Sequence, residues 1–178
     1  MSDKVALSLL TLPVELIFRF FDELNELTIF LYVRKTLKTL YLYNNKIRVQ
    51  GTKYLANALK NNKTLKALHL VDNDIRNEGI QYIANALENN STLTILDLEN
   101  NNIYDERIQC LATKFLKNST TLTILRLHLN EIHLEEIVYL INNLQNNKTF
   151  QLLDLEYNEI SAEKIRYLIN ELKNNEVR

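Results

Sequence analysis

The stretch LKTLYLYNNKI, Leu37 to Ile47, decides how this chain folds, because it returns four more times. It reads LKALHLVDNDI from Leu65, LTILDLENNNI from Leu93, LTILRLHLNEI from Leu122 and FQLLDLEYNEI from Phe150. Successive starts are 28, 28, 29 and 28 residues apart. The shared pattern is L-x-x-L-x-L-x-x-N-x-I, and five in-phase copies make it a structural repeat.

Each copy changes period halfway. Its first part alternates apolar and variable residues, the mark of a half-buried strand. In copy three, Leu96 and Leu98 face one way while Ile95, Asp97 and Glu99 face the other. The second part is spaced i, i+3, i+4, i+7, as in Thr52/Leu55/Ala56/Leu59, Ile80/Ile83/Ala84/Leu87 and Ile108/Leu111/Ala112/Phe115. The sets Ile137/Leu140/Ile141/Leu144 and Ile165/Leu168/Ile169/Leu172 continue it. That spacing gives one apolar helix stripe per copy. Asn77 and Asp105 fall where an N-cap is expected. Glu78, Glu106, Glu135 and Glu163 recur near the helix start, where the dipole favours negative charge.

Strand and helix in alternation call for parallel strands with right-handed crossovers. No single copy covers its own apolar face, so neighbours must stack. Helices are about 10 Å wide and strands about 4.8 Å apart, so the helical side splays. The expected fold is α/β: a right-handed solenoid with the parallel sheet concave and the helices convex. Its five strand-helix repeats are 37–64, 65–92, 93–121, 122–149 and 150–178, preceded by a helical N-terminal cap over 1–36. The Asn that closes each strand (Asn45, Asn73, Asn101, Asn130, Asn158) is expected to be structural. Its amide both donates and accepts, so it can satisfy turn backbone inside the stack.

Composition narrows the function. Of 178 residues, 46% are hydrophobic and 24% charged, enough apolar material for a core. Net charge is -1, so neither nucleic acid nor an anionic membrane is expected as a partner. Two glycines argue against phosphate-binding loops and dinucleotide-binding turns. One cysteine, Cys110, excludes an internal disulfide and fits a reducing, cytoplasmic compartment. The longest apolar run, Val5 to Val14, ends at Glu15, short of the roughly 20 residues a membrane span needs. Glycosylation sequons at Asn62, Asn89, Asn90, Asn118 and Asn147 share one loop phase, so the repeat explains them and they read as unused. No nucleophile-base arrangement or metal-ligand spacing is present, so a non-enzymatic protein without a cofactor is expected.

These copies resemble the leucine-rich repeat family, in particular its ribonuclease-inhibitor-like class, to which NOD-like receptor repeats belong. The resemblance runs from Leu37 to Arg178 and implies a solenoid that acts as a protein-binding scaffold. The family often has a Gly just before the helix. Gly51 and Gly79 hold it here, while Arg107, Glu136 and Lys164 replace it, which is expected to tighten or shift those turns. A further reading the resemblance implies is a GTPase-activator-like repeat protein, as in one subgroup of the class, which would need an extended array and often an acidic tail, neither of which this sequence shows.

The segment LPVELIFRFFDEL, Leu12 to Leu24, resembles the first half of an F-box. Leu12, Pro13, Glu15, Leu16 and Phe18 match its Leu-Pro-x-Glu-Leu opening and apolar helix. That resemblance implies docking on the small adaptor subunit of a cullin-RING ubiquitin ligase. The helix normally entered through a Val-Cys-x-x-Leu-like stretch is missing. The competing reading is that residues 1–36 only cap the first repeat.

The outward strand positions are the candidates for binding a protein partner. An in-register sheet aligns Tyr41, His69, Asp97, Arg126 and Asp154 in one row, and Tyr43, Val71, Glu99, His128 and Glu156 in the next. Arg126 is expected between Asp97 and Asp154, and His128 between Glu99 and Glu156. Tyr41 and Tyr43 are aromatics of the kind that anchor interfaces. Ile95, Ile124 and Leu152 are expected to form an exposed apolar ridge. The strand from Phe150 to Glu156 is expected at the sheet edge, where a second copy could pair with it.

Overall fold

The computed structural model describes residues 37–104, 107–144, 147–158 and 160. The expected cap, the F-box-like residues Leu12, Pro13, Glu15, Leu16 and Phe18, Asp105, and the fifth helical stripe all lie outside the described residues.

The five repeats supply β1 (Thr39–Tyr41), β2 (Ala67–His69), β3 (Ile95–Asp97), β4 (Ile124–Arg126) and β5 (Leu152–Asp154). They form one parallel sheet in chain order. Pairing joins equivalent residues: Thr39, Ala67, Ile95, Ile124 and Leu152 form one row, and Tyr41, His69, Asp97, Arg126 and Asp154 another. Between strands run α1 (Arg48–Lys60), α2 (Arg76–Leu87), α3 (Ile108–Cys110, continued as a π-helix over Leu111–Leu116) and α4 (Leu134–Leu144). This is the leucine-rich-repeat solenoid.

The core is the repeat consensus itself. Leu68, Leu96 and Leu125 are fully buried on the inner face of the sheet, as are Leu70, Leu98 and Leu127 one pleat further on. Ile75, Ile103 and Ile132 close each strand turn against them, and the helix stripes cover them from outside. Each such side chain removed from water contributes about 1.5–3 kcal/mol.

An asparagine ladder carries the turn backbone. Asn101 is fully buried; its Oδ1 accepts from the amides of Asn73 (3.1 Å) and Ile75 (3.3 Å), while its Nδ2 donates to the carbonyls of Leu70 and Glu99. Asn73 serves Asn45 and Ile47 in the same way, and Asn130 serves Asn101 and Ile103. A second set closes the helix-to-strand turns. Asn62, Asn90 and Asn147 each accept two backbone amides, and Ser119 takes that role in the third repeat.

The third repeat is one residue longer than the first, second and fourth. Its helix absorbs the extra residue as a π-turn, in which the Lys117 amide donates to the Ala112 carbonyl at 2.9 Å. Leu111, Ala112, Phe115 and Leu116 therefore stay buried and the following strand stays in register.

The helix starts correct one expectation. Asn77 does not cap α2: the cap position is Ile75, and no side chain caps it. Gly79 is the reason. It lets the helix begin immediately after Ile75, where a Cβ at Gly79 would overlap the Ile75 Cγ2 methyl. Asn77 is then buried inside the first turn, and its Oδ1 accepts the Tyr104 amide of the next repeat at 3.0 Å. Where Glu136 replaces the glycine, α4 begins at Leu134, two residues after Ile132, so the turn shifts as expected.

Candidate functional site

The pleat that buries Leu40 and Leu42 turns Tyr41 and Tyr43 outward on the open face of the sheet, 52% and 48% exposed. Their rings are tilted, with centroids 5.6 Å apart. His69 is the next residue in the Tyr41 row, and its ring stacks on Tyr41 at 4.6 Å and 18°. It also meets the edge of Tyr43 at 6.0 Å. Such aromatic pairs are worth about 0.5–1.5 kcal/mol beyond their burial.

His69 is fixed from the other side. Its Nδ1 lies 3.1 Å from Oδ2 of Asp97, the next residue along the row. A carboxylate only accepts, so this bond places the imidazole proton on Nδ1. Asp97 is 4% exposed, and the same oxygen lies 3.5 Å from Arg126 Nη1. One buried carboxylate thus holds the aromatic cluster of β1 and β2 on one side and the guanidinium of β4 on the other. The Tyr43 phenol is pushed above its ordinary range, first by burial and then by the nearby Asp97 carboxylate.

A second group lies one pleat further on. His128 Nε2 is 3.0 Å from Glu99 Oε1, while its Nδ1 makes no hydrogen bond and is 3.8 Å from Asp154 Oδ2. Two pairings therefore differ from expectation. The register does set Arg126 between Asp97 and Asp154, but its side chain meets Asp97 alone among the described residues, and the second carboxylate near His128 is Asp154 rather than Glu156. A strand row fixes backbone neighbours, but side chains reach diagonally as well. The expected apolar ridge is corrected in part: Ile95 and Ile124 are half-buried, and Leu152 is exposed. Val71 is half-buried and Glu156 exposed.

Reading the rows missed the His69–Asp97 pair, although both residues stand side by side in the middle row. It also missed the exposed rim residues Leu129 and Tyr157. These occupy the left-handed position after each strand, with φ of 53° at both, where the first three repeats have Asn44, Asp72 and Asn100. Cys110 is half-buried and unpaired as a thiol. Among the described residues, no group of His, Cys, Asp and Glu is arranged to hold a metal ion, and no helix is long and apolar enough to cross a membrane.

Comparison with known proteins agrees with this geometry. Residues 61–84 and 89–112 match a family profile described as Leucine Rich repeat. No curated protein matches the sequence. A solved structure described as leiomodin-1 actin-binding site 2 superposes with a TM-score of 0.65 at 23% identity, covering 76% of this chain and 78% of that one. The tropomodulin C-terminal domain of Caenorhabditis elegans superposes with a TM-score of 0.69 at 16% identity, covering 88% of this chain and 95% of that one. The chain carries leucine-rich repeats and shares the fold of these two domains.

Proposed function

We propose that this chain is a non-enzymatic scaffold that holds a protein partner on its concave sheet face. The observation that carries this reading is the pair Tyr41 and Tyr43, half-exposed yet held in place by the buried His69 and Asp97. Rigid aromatics that lose little entropy on binding make interface anchors. Ile124, Leu152, Arg126, Glu99 and Glu156 extend the same face. His69 and Asp97 are buried and act as its support. The repeat length supports placement in the ribonuclease-inhibitor-like class.

The fold likeness to leiomodin-1 actin-binding site 2 makes actin the first partner to test. Co-sedimentation with filamentous actin should pellet the wild type and leave a Tyr41→Ala/Tyr43→Ala variant in solution. Equal pelleting of both would reject the face; no pelleting of either would reject actin. A photo-crosslinker at Tyr41 and another at the exposed helix residue Gln81 then compare the concave and convex faces in cell extract.

The Leu-Pro-x-Glu-Leu segment supports a second reading, a substrate receptor of an F-box-type ligase. The full chain should then co-elute with the ligase adaptor, and Leu12→Ala/Leu16→Ala should end it. An intracellular location is supported by Asn90 and Asn147, whose Nδ2 atoms, where a glycan would attach, already donate to backbone carbonyls of the neighbouring repeat.

A further inference from the structure

The two ends of the sheet face differ in charge. The outward positions on and just after β1 and β2 are Thr39, Tyr41, Tyr43, Ala67, His69 and Val71, which carry no carboxylate; Asp72, at that end, stands in the rim row. The outward positions of β3 to β5 carry Asp97, Glu99, Asp154 and Glu156 against Arg126. Arg126 is already taken by Asp97. Glu99 meets His128, Asp154 stands 3.8 Å from the other nitrogen of that ring, and Glu156 has no ion pair among the described residues. The excess of negative charge is therefore local, in a chain whose net charge is only -1. The exposed apolar side chains Leu129 and Tyr157 border it, set side by side where the Leu129 amide donates to the Glu156 carbonyl at 3.1 Å. Positive charge sits at the opposite corner, on exposed Lys38 and Lys66 where β1 and β2 are entered.

Resting on the concave-face reading above, we infer that the occupant is a basic, partly apolar segment of a partner protein, laid across the strands in one direction. An aromatic or aliphatic residue of that segment seats on Tyr41 and Tyr43. A lysine or arginine seats among Glu99, Asp154 and Glu156, three strands away or roughly 14 Å. Lys38 and Lys66 disfavour the reversed orientation, so complementary charge sets direction as well as attraction.

Two synthetic peptides test this on the full chain: one with a phenylalanine followed four residues later by three lysines, the other with glutamates replacing the lysines. Amide shifts in two-dimensional NMR report where each binds. The lysine peptide should shift Tyr41, Tyr43, Glu99, His128, Asp154 and Glu156, and weaken as salt is raised. Glu99→Gln/Glu156→Gln should bind it roughly five- to tenfold more weakly while the spectrum stays folded. Glutamate-peptide shifts at the same residues, equal or larger, would overturn the charge assignment and leave the face standing. If neither peptide shifts any sheet residue, both the inference and the concave-face reading fall.

Discussion

The ring of His69 lies flat against Tyr41 while its Nδ1 bonds the buried Asp97 carboxylate at 3.1 Å, so an exposed aromatic of the sheet face rests on one of its least exposed groups. Asp97 also faces Arg126, and its Oδ1 accepts the Glu99 amide at 3.3 Å. Asp97→Ala removes the shared acceptor and leaves the His69 N–H buried without a partner. That loss should cost about 1–3 kcal/mol, read as a lower urea midpoint. The Tyr41 ring should become mobile and partner binding should weaken. Asp97→Asn keeps an acceptor oxygen and should fall between the two.

The asparagine ladder should show a gradient along the stack. Asn101 makes bonds to two repeats and is fully buried, so Asn101→Ala should cost about 2–4 kcal/mol by leaving several backbone groups unpaired. Asn45 is half-buried and, among the described residues, its side chain donates to the Tyr43 carbonyl alone, so Asn45→Ala should cost about 1 kcal/mol or less. Equal losses in chemical denaturation would contradict the ladder as the source of turn stability.

Most of this architecture was legible because a strand-helix unit that cannot fold alone must stack, and stacking in register makes every outward row readable. Side-chain partners were less so. Arg126 and His128 each had a carboxylate on both sides in sequence, and which one is met depends on rotamers the pattern does not encode. Asn77 misled because its residue type favours a cap, whereas Gly79 two residues on decides where the helix begins. The π-turn did leave a trace, the single 29-residue spacing.

The glycines should differ in their tolerance of a side chain. Alanine gains about 1 kcal/mol over glycine inside a helix. At Gly51 a Cβ meets, among the described residues, only the Ile47 side chain, 2.8 Å from its Cγ2, so Gly51→Ala should be close to neutral. At Gly79 the Cβ overlaps Ile75 and presses on the buried Thr52, so Gly79→Ala should destabilise by about 1–3 kcal/mol. Gly79→Ala/Ile75→Leu moves the branch away from the contact and should recover part of that loss. Thermal melts of the four proteins compare directly.

Leu129 and Tyr157 hold φ of 53°, a conformation that disfavours bulky side chains and suits Asn. Leu129→Asn should therefore raise stability by about 1 kcal/mol. The same change removes an exposed apolar side chain beside the acidic end of the face, so partner affinity should fall as stability rises. Stability and affinity moving in the same direction would mean that Leu129 serves packing instead.

Acid should act through the rim carboxylates. Hydrogen bonds from Arg76, at 2.7 and 3.0 Å, hold the Asp74 carboxyl below its ordinary value, helped by Asn102. A backbone hydrogen bond and then Arg107 do the same for Glu78. Both groups release their protons more readily folded than unfolded. Their contribution is thus fully present above the unfolded carboxylate range and is lost as pH falls below about 4 and through the folded values. Asp74→Asn should be no more acid-sensitive than the wild type at pH 6, and its urea midpoint should fall less steeply below about pH 4. Solvent screens these exposed pairs, so the difference should be small and should shrink as salt is raised. Identical acid limbs for the two proteins would show that the Asp74–Arg76 pair contributes nothing to folding.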